Sequence, residues 1–177
     1  PLQHFGELEQ LNLNFNQGIT DAGLTSLEGM TNLTELDLHD AGITGEGLAH
    51  LGRLANLREL RLHMTKVDDA GLRHIERLPQ LELLSLTDTK VTEAGLESIS
   101  KFPKLKNLYL PKPMKIGKEG LATLKRMRSL ERLELSLRDP AITDDDLTQL
   151  KDLNALTSLG LNLSSITGAG LKHLSEL

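Results

Sequence analysis

The stretch LTELDLHDAGITGEGLAHLGRL, running from Leu33 to Leu54, holds two periodicities in tandem. Leu36 and Leu38 stand two apart, the spacing that sends side chains to one side of an extended strand while Glu35 and Asp37 face the other. Leu48, Leu51 and Leu54 stand three apart and fall along one stripe of a short helix. The same unit recurs along the whole chain. Its first leucines are Leu8, Leu33, Leu57, Leu81, Leu105, Leu130 and Leu156, giving steps of 25, 24, 24, 24, 25 and 26 residues. Each unit has seven positions that call for an apolar side chain, and all 49 are filled by Leu, Ile, Val, Met or Phe. A fixed period in this range predicts a solenoid, because one unit cannot bury its own apolar face and must stack on the next. The expected architecture is a right-handed α/β solenoid: seven parallel strands, centred near Leu11, Leu36, Leu60, Leu84, Leu108, Leu133 and Leu159, each followed by a helix.

Composition narrows what such an array could do. Aromatic residues make up 2% of the chain and Trp is absent, as expected where a leucine lattice supplies the core. The formal net charge is −5, with Lys and Arg scattered among acidic residues. A nucleic-acid partner is therefore not expected, since that function leaves a basic patch or stripe. No apolar run approaches the ~18 residues of a membrane-spanning helix. The 177 residues contain no cysteine, so there is neither a disulfide framework nor a thiol nucleophile, and a reducing, cytoplasmic compartment is favoured. Residues 1–177 read as a single domain of seven repeats. Leu2, Phe5 and Leu8 repeat the spacing of Leu27, Met30 and Leu33, which suggests a segment of a longer array.

The helical halves open on residues suited to N-capping: Thr20, Thr44, Asp68, Thr92, Thr143 and Thr167, with Gly117 the weak member. Acidic residues follow at Asp21, Asp69, Glu93 and Asp144, where a helix dipole favours them. A glycine column comes next, at Gly23, Gly47, Gly71, Gly95, Gly120 and Gly170, and its recurrence implies close approach between stacked units. Asp146 breaks the column in the sixth repeat, where local loosening is expected.

These residues resemble the leucine-rich repeat superfamily. Ile19-Thr20-Asp21-Ala22-Gly23-Leu24, echoed at Val67–Leu72 and Val91–Leu96, is similar to the subclass with a helical convex side found in F-box-type substrate receptors and bacterial repeat proteins. The resemblance implies a horseshoe with a parallel sheet on its concave side, used mainly to bind other proteins. One departure concerns the position after each strand, where family members carry Cys or Asn that bonds neighbouring loop backbone. Here that position reads Asn16, Ala41, Thr65, Thr89, Pro113 and Ser164, so the ladder should be interrupted at Ala41 and Pro113.

Function, on this reading, is recognition of a protein or peptide on the concave sheet, without chemistry; the alternative is a structural spacer within a larger protein. No nucleophile elbow, phosphate loop or metalloprotease helix is present, so an enzyme is not expected, and neither is a cofactor. Two columns face outward from the strands: Gln10, Glu35, Glu59, Leu83, Asn107, Arg132 and Ser158, then Asn12, Asp37, Arg61, Ser85, Tyr109, Glu134 and Gly160. Tyr109 is the single tyrosine and, beside Leu83 and Leu137, fits an aromatic–aliphatic anchor of the kind enriched at binding hot spots. The bland reading is a lone surface aromatic resting on its neighbours. Extra residues after the fifth and sixth strands, Pro111–Lys115 and Ser136–Ala141, should bulge into one raised lip beside Tyr109. The expected protein-binding residues are Leu83, Ser85, Asn107, Tyr109, Lys112, Met114, Arg132, Glu134, Leu137 and Arg138. His39 and His63 occupy equivalent positions near Asp37 and Asp40, but two histidines without further ligand spacing read as a solvated polar face, not a metal site.

Overall fold

A computed structural model describes residues 6–112, 114–137, 142–163, 166–175 and 177, with backbone alone at 136, 137, 162 and 163. Seven strands form one parallel sheet in chain order: β1 (Gln10–Asn12), β2 (Glu35–Asp37), β3 (Glu59–Arg61), β4 (Leu83–Ser85), β5 (Asn107–Tyr109), β6 (Arg132–Leu137) and β7 (Ser158–Leu163). The expected leucines align across it, Leu11 on Leu36, Leu60, Leu84, Leu108, Leu133 and Leu159. Fixing that register sends the aligned central leucines inward and both outward columns, Leu83 included, to the open face. From Leu24 to Leu153 every one of the apolar template positions is buried, none more than 5% exposed.

Helices cover the other side, but less regularly than the leucine spacing predicts. Among the described residues there are five short α-helices: α1 (Asp21–Leu24), α2 (Asp69–Ile75), α3 (Leu96–Ile99), α4 (Lys118–Leu124) and α5 (Gly168–Leu171). After β2 and β6 the cover is a 3₁₀-helix instead, Glu46–Leu51 and Asp144–Leu150. Three-residue turns bring side chains i and i+3 into line, which suits Leu48-Leu51-Leu54 and Leu147-Leu150-Leu153 without further winding.

The acidic residues at the helix starts do more than complement a dipole; they tie each repeat to the next. Asp21 accepts the backbone N–H of Thr44 at 2.8 Å and its hydroxyl at 2.6 Å. Asp69 does the same for Thr92, and Asp144 for Thr167, at the same distances. Where the following repeat offers only Gly117, the longer Glu93 reaches the N–H groups of Gly117 and Gly120, at 2.9 and 2.6 Å. These carboxylates explain the glycine column. A Cβ at Gly47, Gly95, Gly120 or Gly170 would stand 2.4–2.5 Å from the neighbour's carboxylate oxygen. Backbone-to-backbone approach, the expected cause, applies at Gly71 alone, whose Cβ would meet the Gly45 Cα at 2.4 Å. There the preceding repeat carries glycine in place of the acid, and Asp68 caps its own helix through the Gly71 N–H.

Asp146 reverses the expected loosening. The preceding repeat presents Lys118 where others present an acid, so no carboxylate fills the space and the column need not be glycine. Asp146 itself accepts the Thr143 N–H (2.8 Å) and hydroxyl (2.7 Å) and pairs with Lys118 at 3.4 Å. The sixth repeat supplies internally what its neighbour lacks.

Two loop expectations are also corrected. Asn16, Thr65 and Thr89 donate to the carbonyls of Leu13, Leu62 and Leu86, their own repeats, whereas the contacts between repeats run through backbone, as in Lys66 N–H to Ile43 and Lys90 N–H to Val67. The first part of the expected lip is sheet: Ser136 and Leu137 continue β6 and pair with Asn162 and Leu163 of β7, while Arg138–Ala141 lie outside the described residues. In the fifth repeat Met114, only 5% exposed, turns into the core and fills the volume the longer loop would leave empty.

Candidate functional site

Outward-facing residues of the central strands are half-buried, because columns of side chains a strand apart cover one another. Between β3 and β5 that cover dips into a depression of about 400 Å³ lined by Arg61, His63, Leu83, Ser85, Thr87 and Tyr109. Ser85 pairs with Tyr109 in the sheet register, and Leu83 with Asn107. The carbonyl of Tyr109 takes the Leu86 N–H at 2.8 Å, so the backbone beneath the phenol ring is fixed. Arg61, on one wall, is paired with Glu59 at 2.5 Å.

The structure therefore gathers three of the expected residues, Leu83, Ser85 and Tyr109, in one place. Asn107 and the exposed Arg132 continue the column beside them. Lys112 and Glu134 pair with each other at the margin. Met114, buried, is removed from the candidate surface. The Leu137 side chain, Arg138 and the rest of that loop as far as Ala141 lie outside the described residues, as does Pro113.

Sequence reasoning missed the surface that adjoins this depression. Phe15, Asp40, Met64 and Asp88 occupy one loop position in four successive repeats, and all four have left-handed backbone, with φ between 52° and 59°. Such a conformation costs a non-glycine residue roughly 1–2 kcal/mol. The cost is offset by the ladder it continues: Phe15, Asp40 and Met64 each donate an N–H to the next repeat, to His39, His63 and Thr87 at 2.8–3.0 Å. Phe15 is thereby held 67% exposed and Met64 52% exposed. Between them the His39 ring lies 4.4 Å from Phe15 and stacks on His63 at 3.7 Å, and its Nε2 is 3.3 Å from the Met64 sulfur. His63 also lines the depression, so one apolar and aromatic strip runs from Phe15 to Tyr109.

Charge around the strip is uneven. Burial, then the neighbouring His39, push the His63 pKa below its ordinary 6.5, with Arg61 acting the same way and Asp37 and Asp88 opposing. The imidazole is neutral at neutral pH. No group of three or more candidate metal ligands exists among the described residues. No helix among them is long and apolar enough to cross a membrane.

Seven in-register parallel strands, each backed by helix and stacked at a 24–26-residue period, leave one architecture. The fold is that of a leucine-rich repeat array. A family model described as Leucine Rich repeat matches residues 8–27 and 29–52. Two solved structures from Listeria monocytogenes share the fold. An internalin (inlF) is 20% identical with a TM-score of 0.58, covering 100% of this chain and 62% of that one. An internalin C2 (inlC2) is 21% identical with a TM-score of 0.65, covering 99% and 71%. This chain thus spans under two thirds of the first internalin's length. No curated protein matches it in sequence. The leucine-rich repeat fold is typical of protein-interaction scaffolds and generally non-enzymatic.

Proposed function

We propose that this array binds a protein or peptide on the open, concave face of its sheet, by shape and charge complementarity and without chemistry. The observation that carries the reading is the depression between β3 and β5, where Tyr109 and Leu83 present apolar surface within a polar surround. An aromatic with two rotatable side-chain bonds gains contact area on burial and loses little entropy, which is why such residues dominate interface energetics. The acidic end is a weaker anchor, because Glu35 already accepts a hydrogen bond from Gln10 at 2.8 Å and exposed carboxylates are screened by salt. A purely structural spacer has no need of an apolar dip in its sheet.

Selection from a random-peptide display library on the immobilised array tests this. Peptides recovered should lose at least ~1 kcal/mol of affinity for Tyr109→Ala, a hot-spot-sized loss. Glu35→Gln should mainly slow their association at low ionic strength. Ligands that ignore Tyr109→Ala but lose most affinity with Glu35→Gln at physiological salt would move the site to the acidic end.

A further inference from the structure

Resting on that reading, we propose that the strip from Phe15 to Tyr109 takes an extended peptide segment whose apolar side chains lie three residues apart with arginine between them. The apolar half of the argument is exposure. Phe15 and Met64 stand out in solvent on backbone that water alone would not favour, and both touch the His39 ring or lie against it. Large apolar side chains clustered in this way, unlike ones scattered singly, mark interaction surfaces.

The charged half is complementarity. Asp37, Asp40 and Asp88 flank the strip, and none of them forms an ion pair among the described residues. Among the described residues Asp37 accepts the His39 N–H and Asp40 the Gln17 amide, one bond each, leaving carboxylate lone pairs unused. Arg61, which lies beside His63, is already engaged by Glu59. A positive ligand is favoured, and the stacked rings select guanidinium over ammonium, because arginine is planar, lies flat on aromatic faces and bonds carboxylates through two N–H groups at once.

Spacing sets the pattern. The loop row reads apolar, acid, apolar, acid at Phe15, Asp40, Met64 and Asp88, one repeat apart. With strands about 4.8 Å apart, Phe15 and Met64 are separated by roughly 10 Å, as are Asp40 and Asp88. In the extended polyproline II form a chain advances ~3.1 Å per residue with three residues per turn, so side chains three residues apart share a face, about 9 Å apart, and meet both apolar positions while an intervening arginine reaches the acids. Crossing from β1 to β5 covers about 19 Å, the length of about six residues.

The test uses a fluorescent peptide of about eight residues with two leucines three apart and arginines between them. It is compared with the same peptide carrying citrulline for arginine and with a scrambled peptide of identical composition. Anisotropy titrations of the whole chain should give at least tenfold tighter binding for the arginine peptide than for either control. Two double variants follow: Phe15→Asn with Met64→Asn, where asparagine tolerates the left-handed backbone, and Asp40→Asn with Asp88→Asn. Each should lose about tenfold while circular dichroism stays that of the parent. Equal binding of citrulline or scrambled peptide overturns the charge and spacing argument, and parent-like binding by the double variants overturns the location. If display-selected ligands depend on Tyr109 yet the arginine peptide does not bind, the site stands and this ligand chemistry falls.

Discussion

Asp21 and Gly47 show how single residues hold the array together. Asp21 reaches across to Thr44 and fills the space a Cβ on Gly47 would occupy, 2.4 Å from Oδ1. Gly47→Ala should then destabilise the chain by about 1–3 kcal/mol through overpacking. Asp21→Ala should cost about 1–2 kcal/mol through the lost bonds to Thr44. Combined, the two should cost clearly less than their sum, since removing the carboxylate makes room for the methyl group. Urea melts of the four proteins give the coupling, and strict additivity would refute the steric account. The glycine column was legible in the sequence, but its cause was not, because the partner carboxylate lies a full repeat away and only stacking brings it there. Asp146 misled for the same reason: it looks like a defect until Lys118 is seen in the place of the missing acid.

At the scale of elements, strand positions could be read closely because the two-residue alternation leaves one register that buries the leucines. Helix type was not legible, since leucines three apart satisfy an α-turn and a 3₁₀-turn alike. The lengthening of β6 was hidden too; an insertion of given length can bulge or pair, and a pairing partner in β7 decides it. Capping carboxylates make the sixth and seventh repeats acid-sensitive. Hydrogen bonds from the Thr167 hydroxyl and N–H hold Asp144 below its ordinary 3.8. Asp146 is raised by partial burial but carried below 3.8 on balance by the Thr143 bonds and Lys118. A carboxylate whose pKa is lowered on folding contributes stability that is fully present above the unfolded value and is lost as pH falls through the folded one. The urea midpoint should therefore decline as pH drops through and below about 4, and Asp144→Asn with Asp146→Asn should flatten part of that decline while lowering stability at neutral pH. A double variant with the parent's acid profile would show that other carboxylates carry it.

At the scale of the whole molecule, the solenoid turns sequence neighbours a repeat apart into spatial neighbours about 5 Å apart, which is how Phe15, His39, His63 and Tyr109 become one surface. Tyr109 and Leu83 could be picked out as an outward pair because the strand register was known. The histidines read as a polar face, and Phe15 and Met64 drew no notice, because loop positions carry no periodicity from which direction could be inferred. With His63 at its centre, the strip should bind a cationic peptide less well in acid. Burial and then His39 lower the His63 pKa from its ordinary 6.5, so its protonation is shifted further into acid. Charging it adds a cation next to His39 and Arg61 and offsets the attraction of Asp37, Asp40 and Asp88 for a positive ligand. A positively charged ligand opposes that protonation further, so affinity is full above the free protein's His63 pKa and declines as pH falls through it. As pH falls from neutral through the His63 pKa, below 6.5, the arginine peptide should lose several-fold in affinity to the parent, while His39→Gln with His63→Gln should bind with little pH dependence over the same range. A flat profile for the parent would mean that the His63 imidazole does not face the bound cation, and would separate it from the binding surface.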